Sequence, residues 1–215
     1  MKIRAKKTYN MWFKWSIWAL TVALCIYHFI RGEMTYIEGG IMFLAAAIGI
    51  DIFFKLIKIK LSDSTDFIIQ LFIFACLFLG KMYFVYSILP WWDSFVHFIS
   101  GILLGIGALL LLTIQVKDKV IKEISPIFIA TYSFLASVAS AGLWEIWEFA
   151  GDQLFGLNSQ GNSLMDTMTD ICMGFSGAII AAILIYFYFK KKQFKFIGDF
   201  MDTFAQINKN GNKAS

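Results

Sequence analysis

Residues 95–114 read FVHFISGILLGIGALLLLTI, a twenty-residue run whose one ionisable side chain is His97. At about 1.5 Å of rise per residue, a helix of that length matches the roughly 30 Å hydrocarbon core of a bilayer. Comparable runs occupy residues 12–30, 39–54, 67–86, 126–149 and 169–188, which makes six spans. The second is the shortest, at the low end of the roughly 17–25 residues a spanning helix needs. With 59% hydrophobic residues, a mean hydropathy of +0.68 and two prolines in 215 residues, the composition lies outside the soluble range. The expected fold is all-α, a single transmembrane domain over residues 1–215. Residues 1–90 hold three helices, 91–190 hold three helices that carry polar groups, and 191–215 form a tail.

Positive charge orients the spans. Lys2, Arg4, Lys6 and Lys7, the loop with Lys55, Lys58 and Lys60, the loop with Lys117, Lys119 and Lys122, and the tail from Lys190 all fall on one side. By the positive-inside rule that side is cytoplasmic, and so are both ends of the chain. Of nineteen basic residues only Arg31 and Lys81 belong to the other side, where eight of fifteen acids lie. Topology therefore accounts for the net charge of +4, which gives no argument for nucleic acid as a partner.

The first span lacks a small-residue cleavage site and reads as a retained helix. Cys25, Cys76 and Cys172 have no metal-type spacing and read as small apolar residues. Phe196, Ile197, Phe200, Met201 and Phe204 recur at helical spacing, which predicts a short amphipathic helix lying on the inner leaflet as an anchor. Asp51 has Lys55 four residues on, so a local ion pair is its simplest account.

Ionisable groups at membrane depth are costly and mark function by default. Six carboxylates and a histidine gather at the outward ends of the last three spans: Asp93 and His97; Glu145, Glu148 and Asp152; Asp166 and Asp170. Glu145, Glu148 and Asp152 stand at i, i+3 and i+7, on one face over about 10 Å of helix. From Asp93 and His97, steps of four reach Gly101 and Gly105, a pattern that lets membrane helices approach closely. Asp166 and Asp170 lead likewise to Gly174 and then Gly177, and Ala141 and Ser137 lie beneath Glu145. The acids are thus expected to point into the bundle. Trp91, Trp92, Trp144 and Trp147 sit where amphipathic rings favour the headgroup level. The Gly/Asn/Ser-rich loop 153–165 reads equally as a cover for the site or a plain connection. His28 and Lys81 are the nearest candidate charge or substrate partners. His28 also suits an ordinary interfacial helix end, and Lys81 can pair with an acid, bind a phosphate or snorkel outward.

Carboxylates this close in a partly dry site cannot all stay charged without compensation. A divalent cation supplies it, and oxygen ligands with one imidazole suit zinc, manganese, magnesium or iron. In this reading Asp93, His97, Glu145, Glu148 and Asp170 are metal ligands. Asp152 and Asp166 serve as catalytic base or outer partners, and the substrate is a membrane lipid or a lipid-linked head group reached from the outer leaflet. Two other readings remain: a proton- or cation-coupled carrier, and a structural network of protonated acids. No HExxH helix, GxSxG elbow, Walker loop or EExxxR element is present. A dyad of Ser94 or Ser100 with His97 would carry almost no specificity.

The segments WWDSFVHFISGILLG, LWEIWEFAGDQLFG and NSLMDTMTDICMGFSGAII resemble the YjdF-like family of small bacterial inner-membrane proteins, and more distantly the VanZ-like proteins. The likeness covers about residues 91–180. It is most specific at Asp93 with His97, Glu145 with Glu148, and Asp166 with Asp170. VanZ-like proteins usually carry an Asn after the final Asp, where this chain continues through Cys172, Met173 and Gly174. The resemblance implies a bacterial plasma-membrane location and a role at the cell envelope.

Overall fold

The computed structural model describes residues 7–116, 118–121, 123–161 and 163–209. Lys2, Arg4, Lys6, Lys117 and Lys122, used above to orient the chain, lie outside the described residues, as does the end from 210 to 215. All regular structure among the described residues is helical, and six helices are long and apolar enough to cross a membrane. The chain divides into two compact units, Met1–Trp92 and Asp93–Ser215.

The first unit contains α1 (Lys7–Arg31), α2 (Met34–Leu56), α3 (Asp63–Ile73, continued to Met82 in π-helical form) and the short α4 (Val85–Ile88). The second span, expected over 39–54, is longer than its apolar run because Met34–Leu56 stays helical through flanking polar residues. The third begins earlier and stops sooner than the expected 67–86. Ser62 caps it by accepting from the Thr65 N–H at 3.1 Å, and Asp63 and Asp66 suit the positive end of the helix dipole. At the other end the π-helical turns finish at Met82, and Phe84 takes a left-handed conformation with φ +56°. Phe43, Ala47, Phe78 and Met82 form the core, and Gly39 lets α2 rest on the Met82 backbone: an added Cβ would lie 2.5 Å from its Cα.

Asp51 does not take Lys55 as its partner. The Lys14 ammonium, mostly buried on α1, lies 2.6 Å from Asp51 and 3.2 Å from Asp66, and so ties three helices together. Lys14→Met would remove the cation that the two carboxylates share. We expect a cost of about 1–3 kcal/mol, below that of a fully buried pair because Asp51 keeps some access to water. The measurement is the thermal midpoint in detergent, where Lys14→Arg should recover most of the loss and an unchanged midpoint would remove the triad's structural role.

The second unit contains α5 (Trp92–Gln115), α6 (Asp118–Ile121), α7 (Pro126–Phe155), α8 (Leu164–Lys191) and α9 (Lys195–Lys209). Pro126 opens α7, and Gly156 closes it with φ +67°, donating its N–H to Asp152 O at 3.1 Å. The long helices meet along small residues. An added Cβ on Gly101 would strike Gly174 O, and one on Gly177 would strike Phe98 O. One on Gly105 would come within 2.6 Å of the Ala181 Cβ, and one on Gly174 within 2.9 Å of the Ala141 Cβ. The Ser137 hydroxyl donates to Gly101 O at 2.7 Å, a bond between α7 and α5 at this same level.

The amphipathic tail helix forms as expected, and its stripe is partly taken up by the protein. Ile197, Met201 and Phe204 are buried in the protein, Gly198 packs on the Tyr188 ring, and Lys209 donates to Val116 O at 2.9 Å. Phe196 is exposed and Phe200 half-buried, so part of the stripe stays open to a leaflet.

Candidate functional site

Three long helices of the second unit each bring acids to the same end. Asp93 and His97 occupy the first turns of α5, Glu145, Glu148 and Asp152 the last turns of α7, and Asp166 and Asp170 the first turns of α8. The glycine contacts below draw the backbones together, and this places short acidic side chains within reach of one imidazole. His97 Nε2 lies 3.7 Å from Asp93 Oδ1 and 3.8 Å from Asp170 Oδ2, while Nδ1 lies 4.0 Å from Glu145 Oε1. His97, Glu145 and Asp170 are 8%, 4% and 3% exposed.

Those separations are too long for hydrogen bonds and too short to be ignored electrostatically. Three carboxylates face one imidazole, so even a protonated ring cannot balance them. Neither oxygen of Glu145 has a hydrogen-bond partner, although the Gln160 amide and Thr167 hydroxyl lie beside it. An uncompensated buried carboxylate is among the costlier groups a protein can carry.

Asp93, His97 and Asp170 can hold a metal ion: one ligand atom from each lies within 4.8 Å of the others. An ion about 2.1 Å from its ligands sets them roughly 3–3.5 Å apart, so the two carboxylate–imidazole distances must close by a few tenths of an ångström and the widest separation in the group by up to about 1.3 Å. Glu145 then stands on the far side of the ring, where carboxylates commonly orient a metal-bound histidine.

The other acids expected in the site stand around this group, Asp166 close enough to act electrostatically on His97, Glu145 and Asp170, and Glu148 on Asp170. Glu148 is half-buried and accepts from the Trp144 indole N–H at 3.1 Å. Asp152 accepts the backbone N–H groups of Ser159 and Gln160 at 2.7 and 3.1 Å, which folds the 156–161 segment back over the end of α7. Asp166 lies in the first turn of α8, its N–H bonded to the capping Ser163 hydroxyl at 3.2 Å. The two candidate charge partners belong to the first unit. His28 Nδ1 is 2.7 Å from Glu33 Oε2 and its ring stacks on Tyr36 at 4.2 Å, while Lys81 lies 5.4 Å over the Tyr86 ring.

A groove of about 650 Å³ runs beside Glu145 between α7 and α8. Ile146, Phe149, Leu164 and Ile171 line it, as do the polar groups of Gln153, Gln160, Ser163 and Thr167. Gln160 spans it, donating to Thr167 Oγ1 at 2.9 Å and to Glu145 O at 3.4 Å. Sequence reasoning passed over Gln160 and Thr167. The signal for Thr167 was its place three residues before Asp170 and four after Ser163 on one helical stripe; for Gln160, which sits in a loop, no periodic signal exists.

No curated protein and no solved structure matches the chain. A family model described as predicted membrane protein (DUF2238) matches residues 11–191, which include all six long helices but for α1's first turn and every residue of the cluster. The chain is a multi-pass membrane protein and belongs to the DUF2238 family.

Proposed function

We propose that Asp93, His97 and Asp170 bind one divalent metal ion and that Glu145 works beside it on a lipid or lipid-linked substrate of the bacterial cell envelope. The observation that carries this is the buried Glu145 carboxylate, without a hydrogen-bond partner and 4.0 Å from an imidazole whose other nitrogen faces two more carboxylates. A bound ion supplies Lewis-acid polarisation of a phosphoryl or carbonyl oxygen, or a more acidic water. Glu145, which also lines the groove, is placed to accept a proton from a nucleophile. The basic loops support cytoplasmic ends and an outward-facing site in the plasma membrane. The resemblance to YjdF-like and, more distantly, VanZ-like proteins supports the envelope setting.

A carrier would need a polar route along the bundle. Among the described residues of the second unit, the buried ionisable side chains are His97, Glu145 and Asp170, all at one end, and the buried face of α8 continues through Gly174, Gly177, Ala178, Ala181 and Ile185. That favours a one-sided site.

The test is elemental analysis of protein purified in mild detergent, before and after reloading with zinc, manganese, magnesium or iron. About one equivalent of a single metal is expected in the wild type and its loss in a folded His97→Gln protein. No metal in the wild type after reloading would overturn the proposal.

A further inference from the structure

We propose that the groove between α7 and α8 binds a membrane lipid whose head group is uncharged and rich in hydroxyls, a glycosyl diacylglycerol in kind. The inference deepens the reading of the metal centre by naming its substrate class, and rests on that reading only in placing the head group against Glu145. At about 650 Å³ the groove lies within the range of small-molecule sites.

Its chemistry selects among lipids. Among the described residues that line it are two carboxylates, Glu145 and Asp152, two carboxamides, Gln153 and Gln160, and the hydroxyls of Ser163 and Thr167; none is a lysine, arginine or histidine. A phosphate head group would meet like charge and no basic side chain, and a divalent ion already faced by Asp93, Asp170 and Glu145 would have no positive charge to spare for it, an arrangement that rejects anionic ligands. A sugar hydroxyl is both donor and acceptor. It can donate to a carboxylate and accept from a carboxamide N–H, and the lining supplies both. The two oxygens of Glu145 lack donors and are closed to solvent beside the Gln160 amide and Thr167 hydroxyl, so a polyol supplies donors to them by displacing the Gln160 side chain that spans the groove.

The source of the ligand follows from where the groove opens. Ile146, Phe149 and Leu164 line it and are also 63%, 54% and 77% exposed, on two helices that span the membrane. Apolar side chains exposed on spanning helices face hydrocarbon, so the groove has a lateral mouth toward lipid. An acyl chain can lie along Ile146, Phe149 and Ile171 with its head group at the polar end. A free sugar gains nothing from that apolar wall.

The test uses the full chain in a zwitterionic detergent with a metal chelator present, so that lipid retention reports on the groove whatever becomes of the metal reading. The protein is mixed with equimolar monoglucosyl diacylglycerol and phosphatidylglycerol of matched acyl chains. It is then passed through gel filtration, and bound lipid is quantified by mass spectrometry. At least about tenfold enrichment of the glucolipid is expected, a difference of one decade in affinity. Ile146→Trp, which fills the mouth, should reduce retention to background, and Thr167→Val, which removes a hydroxyl and keeps the shape, should lower the enrichment severalfold. Equal retention of both lipids, preference for phosphatidylglycerol, or full retention by folded Ile146→Trp would overturn the proposal. Displacement by methyl glucoside at the lipid's own concentration would overturn the assignment of the ligand as a lipid.

Discussion

Asp170→Asn is expected to strip the metal from the purified protein, whereas Glu148→Gln is expected to leave it in place. Both residues were expected among the ligands, and each substitution exchanges an oxygen for an amide of nearly the same shape. What separates them is position. Asp170 is buried with Oδ2 3.8 Å from His97 Nε2, whereas Glu148 is half-buried and accepts from the Trp144 indole. Loss of groups that merely support a metal ligand costs about 10–100-fold in affinity, so loss of a ligand should cost at least about 100-fold. A chelator-competition titration reads the difference directly. There is a second signature in the metal-free protein. Asp170→Asn removes one of three carboxylates crowded around His97, so the metal-free variant should be at least as thermostable as the metal-free wild type. Equal metal loss in the two variants would place Glu148 among the ligands. A metal-free Asp170→Asn protein less stable than its parent would show that the acids are held by a structural network instead.

Much of this arrangement is visible in the sequence because helical periodicity carries it. Asp93, His97, Gly101 and Gly105 fall in steps of four, and the same small-residue spacing below Asp170 and Glu145 announces which faces meet. What periodicity leaves open is how far round the helix, and how far along it, each acid stands. At about 100° per residue, Glu148 is turned roughly 60° from Glu145, enough to bring it to the Trp144 rim; Asp152 is nearly in line with Glu145 but about two turns further on. There the helix ends, and its carboxylate finds the N–H groups of Ser159 and Gln160, which only the folded loop supplies. Lys14 shows the same limit. The i, i+4 neighbour Lys55 is the partner a sequence offers Asp51, yet a cation from another helix reaches the carboxylate first. For the tail helix, an apolar stripe has the same pattern whether it faces lipid or protein. Gly198 within that stripe was the available sign of close packing, since a leaflet needs no missing side chain.

Gly177→Ala should unfold or loosen the second unit, although alanine is the better helix former by about 1 kcal/mol. The added methyl has no flexible side chain to displace. It would meet Phe98 O, lie 3.0 Å from Ile102 N and 3.1 Å from Gly101 Cα, all backbone atoms of α5. Relief requires the two helices to separate, and separation undoes the neighbouring contacts of Gly101 with Gly174 and of Gly105 with Ala181 as well. Overpacking a core costs about 1–3 kcal/mol where side chains can yield; against rigid backbone we expect the upper part of that range or beyond. Gly107→Ala is the control, because a Cβ there meets nothing within 4 Å and should be neutral or stabilising by helix propensity alone. Thermal midpoints in detergent compare the two. The metal gives an independent readout, since His97 on α5 and Asp170 on α8 sit one to two turns above the contact, and separated helices pull the ligands apart. Metal content should therefore fall with Gly177→Ala and hold with Gly107→Ala. If Gly177→Ala matched the control in both measurements, α5 and α8 would not pack backbone to backbone, and the convergence of acids on His97 would lose its structural basis.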